Sequence, residues 1–198
     1  MATPLDGRIE VRPLSIEGAF LFVFPDQQDQ RGSRRSWFDE QVVHTATGRP
    51  LGPVLANVTV SHQGALRGIK YSRDGRAGKY VSCLSGMVLD VVVDLRVGSP
   101  TFGASHIRRL DGGQPVGLFL APGLGHATLA LTEQAAMAYL HPAHDEGPEV
   151  AVHPFDSDLS IAWPSGLSFL LSDGDTAAPT LGQARDAGLL PAYLGGEP

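Results

Sequence analysis

Between residues 87 and 96 one parity is wholly apolar, with Met87, Leu89, Val91, Val93 and Leu95, while Asp90, Asp94 and Arg96 all fall on the other. A period of two belongs to an extended strand, whose successive side chains point to opposite faces. The polar parity faces either solvent or an interior lined for a polar ligand, and alternation alone does not choose. Comparable short apolar runs, bounded by Gly, Pro, Asp or Ser, recur at 19–24, 56–61, 79–84, 117–121 and 127–131. Many short strands separated by turn residues predict an all-β sandwich or barrel, and 24 Gly and 15 Pro supply the turns. Helix signals are confined to the periphery, at 37–43 and 181–190. The polar stretch 26–35 predicts a loop or ordered arm, and 195–198 a frayed end.

A chain of 198 residues fits one domain, expected here over 1–198 with its core at about 17–193. The formal charge of −6 argues against a nucleic-acid backbone as general partner, yet leaves room for a local basic pocket that holds a phosphorylated small molecule. Cys83 is the one cysteine, which rules out an intrachain disulfide and a cysteine-built zinc site and suits a reducing, cytoplasmic setting. The first residues show neither a basic nor an apolar leader region, and no apolar run reaches the roughly 20 residues of a membrane span. The seven histidines contain no His-x-His or His-Glu-x-x-His pair, so no metal is expected.

Three ordered segments carry a resemblance: NVTVSHQGALRGIKY (57–71), GKYVSCLSGMVLDVVVDLRVGSPTFG (78–103) and LSDGDTAAPTLGQARDAGLLPAY (171–193), with APGLGHATLALTEQAAMAYL (121–140) between the last two. Together they resemble the dTDP-4-dehydrorhamnose 3,5-epimerase family. The resemblance implies a double-stranded β-helix jelly roll of the cupin kind, commonly a homodimer. It also implies a nucleotide-diphospho-sugar bound inside the barrel, with neither metal nor organic cofactor, and epimerisation at C3, C5 or both of a dTDP-4-keto-6-deoxyhexose in deoxysugar or antibiotic biosynthesis.

Inversion beside a ketone needs a base for the acidified C–H, a cation for the enolate oxygen and an acid that returns the proton. By resemblance Lys79, in GKYV, supports the enolate; Tyr139, in AMAYL, is the acid; and Asp175, in LSDGD, orients the base. The base itself is the histidine of Leu-Arg-Gly-x-His, and here Leu66-Arg67-Gly68-Ile69-Lys70 puts Lys70 in its place. A lysine is ordinarily protonated at neutral pH and an ammonium cannot accept a proton. A neighbouring ammonium such as Lys79 and partial burial would favour the neutral amine, whereas Asp175 would hold Lys70 charged. Lys70 is therefore a retained base, a Schiff-base amine or a polarising cation, and His126, in GLGH, is a substitute base or a ligand contact.

Arg67 stands three residues before Lys70, an odd spacing that a regular strand would send to opposite faces; a bulge at Gly68 would turn both inward. Arg67, Asn57 and His126 are the expected substrate contacts in the barrel. For the diphosphate, the family's Asp-Arg-Gly arm has its counterpart in Asp29-Gln30-Arg31-Gly32, making Arg31 the expected phosphate ligand, with Arg34 and Arg35 beside it. Two other readings accompany the epimerase: the same scaffold turned to an isomerisation or cyclisation of another small carbonyl metabolite, and a non-catalytic ligand-binding helper.

Overall fold

In a computed structural model, which describes residues 8–52, 54–73, 78–142 and 149–195, the short apolar runs are strands. In chain order they are β1 (Glu10–Pro13), β2 (Ala19–Val23), β3 (Gln27–Asp29), β4 (Gly32–Arg34), β5 (Val54–His62), β6 (Leu66–Ser72) and β7 (Lys79–Ser85). There follow β8 (Met87–Asp94), β9 (Ser105–Asp111), β10 (Val116–Leu120), β11 (Leu124–Ala130), β12 (Gln134–Pro142) and β13 (Glu149–Ala151). Among the described residues there are three short α-helices: α1 (Glu40–Thr47), α2 (Asp173–Thr176) and α3 (Leu181–Asp186). The expectations for the leader region and for 196–198 lie outside the described residues.

A six-stranded sheet in the order β1-β2-β10-β7-β12-β5 faces a five-stranded sheet in the order β13-β6-β11-β8-β9, and every pairing is antiparallel. This is the jelly roll of the cupin fold, with the two sheets left unclosed rather than joined into one barrel. No described helix is long and apolar enough to cross a membrane.

Each sheet is covered over part of its outer face, and the cover behind the five-stranded sheet decides the polar parity of β8. Behind the six-stranded sheet Tyr80 packs against Phe22 and Phe38, with ring centroids 5.6 and 5.1 Å apart. Behind the five-stranded sheet Val91, Val93 and Leu95 form a second core with Val152, Leu159, Leu181 and Ala184 of the C-terminal segment. Each fully buried side chain of this size contributes roughly 1.5–3 kcal/mol, so the C-terminal segment is held by its apolar residues rather than by its helices. The odd parity of β8 is thus consumed by that core, and Asp90 and Asp94 point into the space between the sheets, where both are buried.

Asp94 ends β8 in a closed polar network. Its carboxylate accepts from Arg96 Nε and Nη2 at 2.9 and 2.7 Å and from the hydroxyls of Ser99 and Thr101 at 2.5 and 2.6 Å. Burial alone would raise the Asp94 carboxyl, but these four donors outweigh it and hold it below its ordinary range.

The peripheral elements differ from expectation in detail. α1 starts at Glu40 rather than at 37 because Asp39 caps it, accepting from the Val42 N–H at 3.1 Å, and this frees Trp37 and Phe38 to pack on Tyr80. α3 stops at Asp186 rather than continuing to 190, and Gly188 follows with a φ of +63°. The polar stretch 26–35, expected as a loop or arm, is a hairpin of β3 and β4.

Candidate active site

The open end of the space between the sheets is a cavity of about 700 Å³. Its wall comes from β5 (Asn57, Thr59), β6 (Arg67, Lys70), β7 (Lys79), β11 (His126, Thr128) and β12 (Tyr139, His141), and its rim from Leu170, Leu171, Ser172 and Asp175. Of the eight residues expected in a site, seven meet here: Lys70, Lys79, Tyr139, Asp175, Arg67, His126 and Asn57. Arg31 does not. It lies on the β3–β4 hairpin in a separate shallow groove, with an 85% exposed side chain paired to Asp29 at 2.5 Å.

The bulge expected at Gly68 is what brings Arg67 and Lys70 to one side. Against β11, His126 pairs with Lys70 and Thr128 with Arg67, so three steps on β6 match two on β11. Leu66, Ile69 and Tyr71 then turn to the outer core while Arg67 and Lys70 face the cavity. Gly68 has a φ of +112°, and a Cβ there would run into the His126 carbonyl and stand 2.9 Å from Ala127 Cα. Only glycine fits this close approach of two backbones.

Lys70 Nζ lies 3.9 Å from Asp175 Oδ1, so the lysine meets the acid expected to orient the base. Asp175 is fixed by Ser172, the N-cap of α2, whose hydroxyl donates to Asp175 Oδ2 at 2.9 Å and accepts the Asp175 N–H at 3.1 Å. Oδ1 is buried and accepts no hydrogen bond among the described residues, which leaves it turned toward the ammonium.

A second carboxylate lies deeper. His126 Nε2 is 2.7 Å from Asp90 Oδ2, with side chains only 5% and 1% exposed. The alternation of β11 explains the placement, since Ala127 and Leu129 join the outer core and so turn His126 and Thr128 inward. The His126 ring meets Tyr139 edge-on at a centroid distance of 6.2 Å. Burial pushes the Tyr139 hydroxyl above the ordinary phenol range, and the charge of Asp90 adds to that, while Thr128, Thr59 and Arg67 offset part of it. Tyr139 therefore keeps its proton at neutral pH. Arg67 Nε donates to Ser61 Oγ at 2.9 Å, and Asn57 Nδ2 lies 3.0 Å from His141 Nε2 at the exposed rim.

Sequence reasoning missed Asp90, Thr59, Thr128, Ser172 and His141 as members of the site. Asp90 carried a signal, an acid between valines on a strand whose other parity is wholly apolar, but the signal does not separate an interior acid from a solvated one. The threonines carried none, because a threonine in a strand is ordinary. Among the described residues no group of three or more His, Cys, Asp or Glu is gathered as a metal would need.

Comparison with known proteins identifies the family. The sequence profile described as dTDP-4-dehydrorhamnose 3,5-epimerase matches residues 13–183. A dTDP-4-dehydro-6-deoxyglucose 3-epimerase of Streptomyces bikiniensis is 45% identical over 186 residues, covering 92% of this chain and 94% of the relative. The crystal structure of NovW, a 4-keto-6-deoxy sugar epimerase from the novobiocin biosynthetic gene cluster of Streptomyces spheroides, superposes with a TM-score of 0.89 at 42% identity, covering 94% of each chain. The dTDP-6-deoxy-D-glucose-3,5-epimerase RmlC of Legionella pneumophila, in complex with dTDP-4-keto-L-rhamnose, gives a TM-score of 0.88 at 33% identity, covering 95% of this chain and all of that one.

Proposed function

The chain belongs to the dTDP-4-dehydrorhamnose 3,5-epimerase family, and on that premise we propose that it inverts C3, C5 or both in a dTDP-4-keto-6-deoxyhexose of a deoxysugar or antibiotic pathway. The observation that carries the reading is the convergence of Tyr139, Lys79, Lys70 and Asp175 on one cavity, from four separate elements. The 4-keto oxygen is the group these cations suit. Lys79 and Lys70 stabilise the enolate that forms when the neighbouring C–H is lost, Tyr139 supplies the returning proton, and Asp175 holds Lys70. Arg67 and Asn57 line the path of the sugar and its phosphates.

The enzyme acts as a homodimer in a reducing cytoplasm. The support for a second copy is β5, an edge strand of nine residues whose outward Val54, Val58 and Val60 are 39%, 60% and 58% exposed. Long apolar edges of this kind pair or are covered in soluble proteins. Arg31, apart from its own chain's cavity, then serves the diphosphate across such an interface.

Hydrogen exchange tests the activity. The protein is incubated with dTDP-4-keto-6-deoxyglucose in deuterium oxide, and C3 and C5 are followed by NMR. Deuterium incorporation with inversion is expected at one or both carbons, and an unchanged substrate refutes the reading. The replacement of the family's histidine by Lys70 favours one second reading, an isomerisation or ring closure of a related carbonyl compound. A product of altered connectivity in the same spectra would mark it.

A further inference from the structure

Resting on the epimerase reading, we propose that the proton acceptor of this enzyme is His126, set as a base by Asp90, and that Lys70 is a fixed cation rather than the base.

Three observations lead there. First, the group at the expected base position is an amine next to a carboxylate: Lys70 Nζ faces the otherwise unbonded Oδ1 of Asp175 at 3.9 Å. A lysine is ordinarily an ammonium at neutral pH, and an ammonium has no lone pair to take a proton. Second, the cavity holds another imidazole beside the same strand position. His126 is the direct ladder partner of Lys70 across β11 and β6, so both side chains enter the cavity at the same level. Third, a buried carboxylate stands at one ring nitrogen and selects the tautomer. Asp90 Oδ2, 2.7 Å away, accepts the proton on Nε2, which leaves the lone pair on Nδ1. Asp90 then stabilises the imidazolium once a proton has been taken.

The other candidates are already engaged. Tyr139 holds its proton because burial raises it. Asp175 is bonded to Ser172 and turned to Lys70. His141 also lines the cavity, but its Nε2 is met by the amide of Asn57 at the exposed rim, and among the described residues no carboxylate orients it.

In the step itself the C–H bond next to the ketone breaks and its proton passes to His126 Nδ1. The electron pair forms the carbon–carbon double bond, and the carbonyl pair moves onto O4, where the Lys70 and Lys79 ammoniums balance the charge. The Tyr139 O–H then gives its proton to the carbon to complete inversion, and the imidazolium and phenolate return to their resting states through solvent. No oxidant or co-reactant is needed.

The test compares His126→Gln, Asp90→Asn and Lys70→Met with the unaltered protein in the deuterium experiment, with dTDP affinity by calorimetry and melting temperature measured alongside. His126→Gln should lower C–H exchange by about 10²-fold or more with dTDP affinity retained. Asp90→Asn, at a positioning residue, should lower kcat by a similar factor at unchanged KM, because the amide no longer fixes the proton on Nε2. Lys70→Met should slow exchange by about tenfold without abolishing it, as expected for loss of one cation at the enolate. Exchange that survives in His126→Gln and vanishes in Lys70→Met would overturn the assignment and make Lys70 the base. If His126→Gln does not fold, His126→Gly with added imidazole replaces it. Recovery of exchange supports the assignment, and a folded, dTDP-binding protein that imidazole cannot rescue overturns it. A silent unaltered protein would instead remove the epimerase reading, and this assignment with it.

Discussion

Gly68→Ala should be among the most damaging single-methyl changes in this protein, for two additive reasons. The φ of +112° is a conformation that an alanine adopts only under strain, which costs about 1–3 kcal/mol. The new Cβ would also overlap the His126 carbonyl and crowd Ala127 Cα and Cβ, both 2.9 Å away. These are backbone and near-backbone atoms of the central strand β11, which cannot rotate aside, so overpacking adds about 1–3 kcal/mol. A total of about 4 kcal/mol corresponds to a fall in melting temperature of about 8–16 °C for a domain of this size. Thermal unfolding followed by circular dichroism measures it, with Gly182→Ala as the control. Gly182 lies in α3 with nothing within 4 Å of its added Cβ, and there alanine should be neutral or stabilising by up to about 1 kcal/mol. A fall of less than about 2 °C in Gly68→Ala would refute the close-approach argument, and with it the account of how Arg67 and Lys70 come to share a face.

Three further outcomes are expected. Asp94→Asn leaves the 7% exposed Arg96 side chain with Glu17 as its remaining carboxylate at 2.9 Å, and should destabilise by about 3 kcal/mol in urea unfolding at neutral pH. Because the Asp94 carboxyl is depressed in the folded protein, its contribution is complete above about pH 4 and is lost as pH falls through the folded value; the gap between the two proteins should close on acidification. Tyr139→Phe should stop inversion while deuterium still enters the substrate carbon, since the base is intact and the returning acid is gone; loss of both together would place Tyr139 in the first step. Val58→Lys combined with Val60→Lys should convert a dimer to a monomer in light scattering, and an unchanged mass would show that the β5 edge is not the interface.

Much of the fold was legible because alternation and turn residues are local signals. The parity of β8 and β11 placed the strands, and the odd spacing of Arg67 and Lys70 around Gly68 announced the bulge that the β6–β11 register contains. What was not legible depends on what covers each face. Asp90 read equally as solvated or interior until the C-terminal segment was seen to occupy the opposite parity of β8. The start of α1 was misjudged because Trp37 and Phe38 read as the first apolar residues of a helix, whereas their partner Tyr80 lies on a strand distant in sequence. Arg31 was matched to a motif, but where a hairpin points in a single chain follows from no spacing rule.

Replacing a histidine by Lys70 changes what the cavity stabilises. An imidazole at that place would be neutral while it waits for a proton, so its interaction with the bound sugar would be weak before reaction. A lysine is ordinarily an ammonium at neutral pH, and Lys70, beside Asp175, joins Lys79 and Arg67 to put three basic side chains on the wall of one cavity. Part of that charge acts on the diphosphate, whose own charge is the same before and during reaction, and this part improves binding without speeding chemistry. Only the part directed at O4 grows as the ketone becomes an enolate and therefore lowers the barrier. The substitution thus trades a proton acceptor for an anion holder at one position, and the exchange is workable only in a cavity that already contains a second imidazole with its tautomer fixed. The 2.7 Å contact between His126 and Asp90 meets that condition.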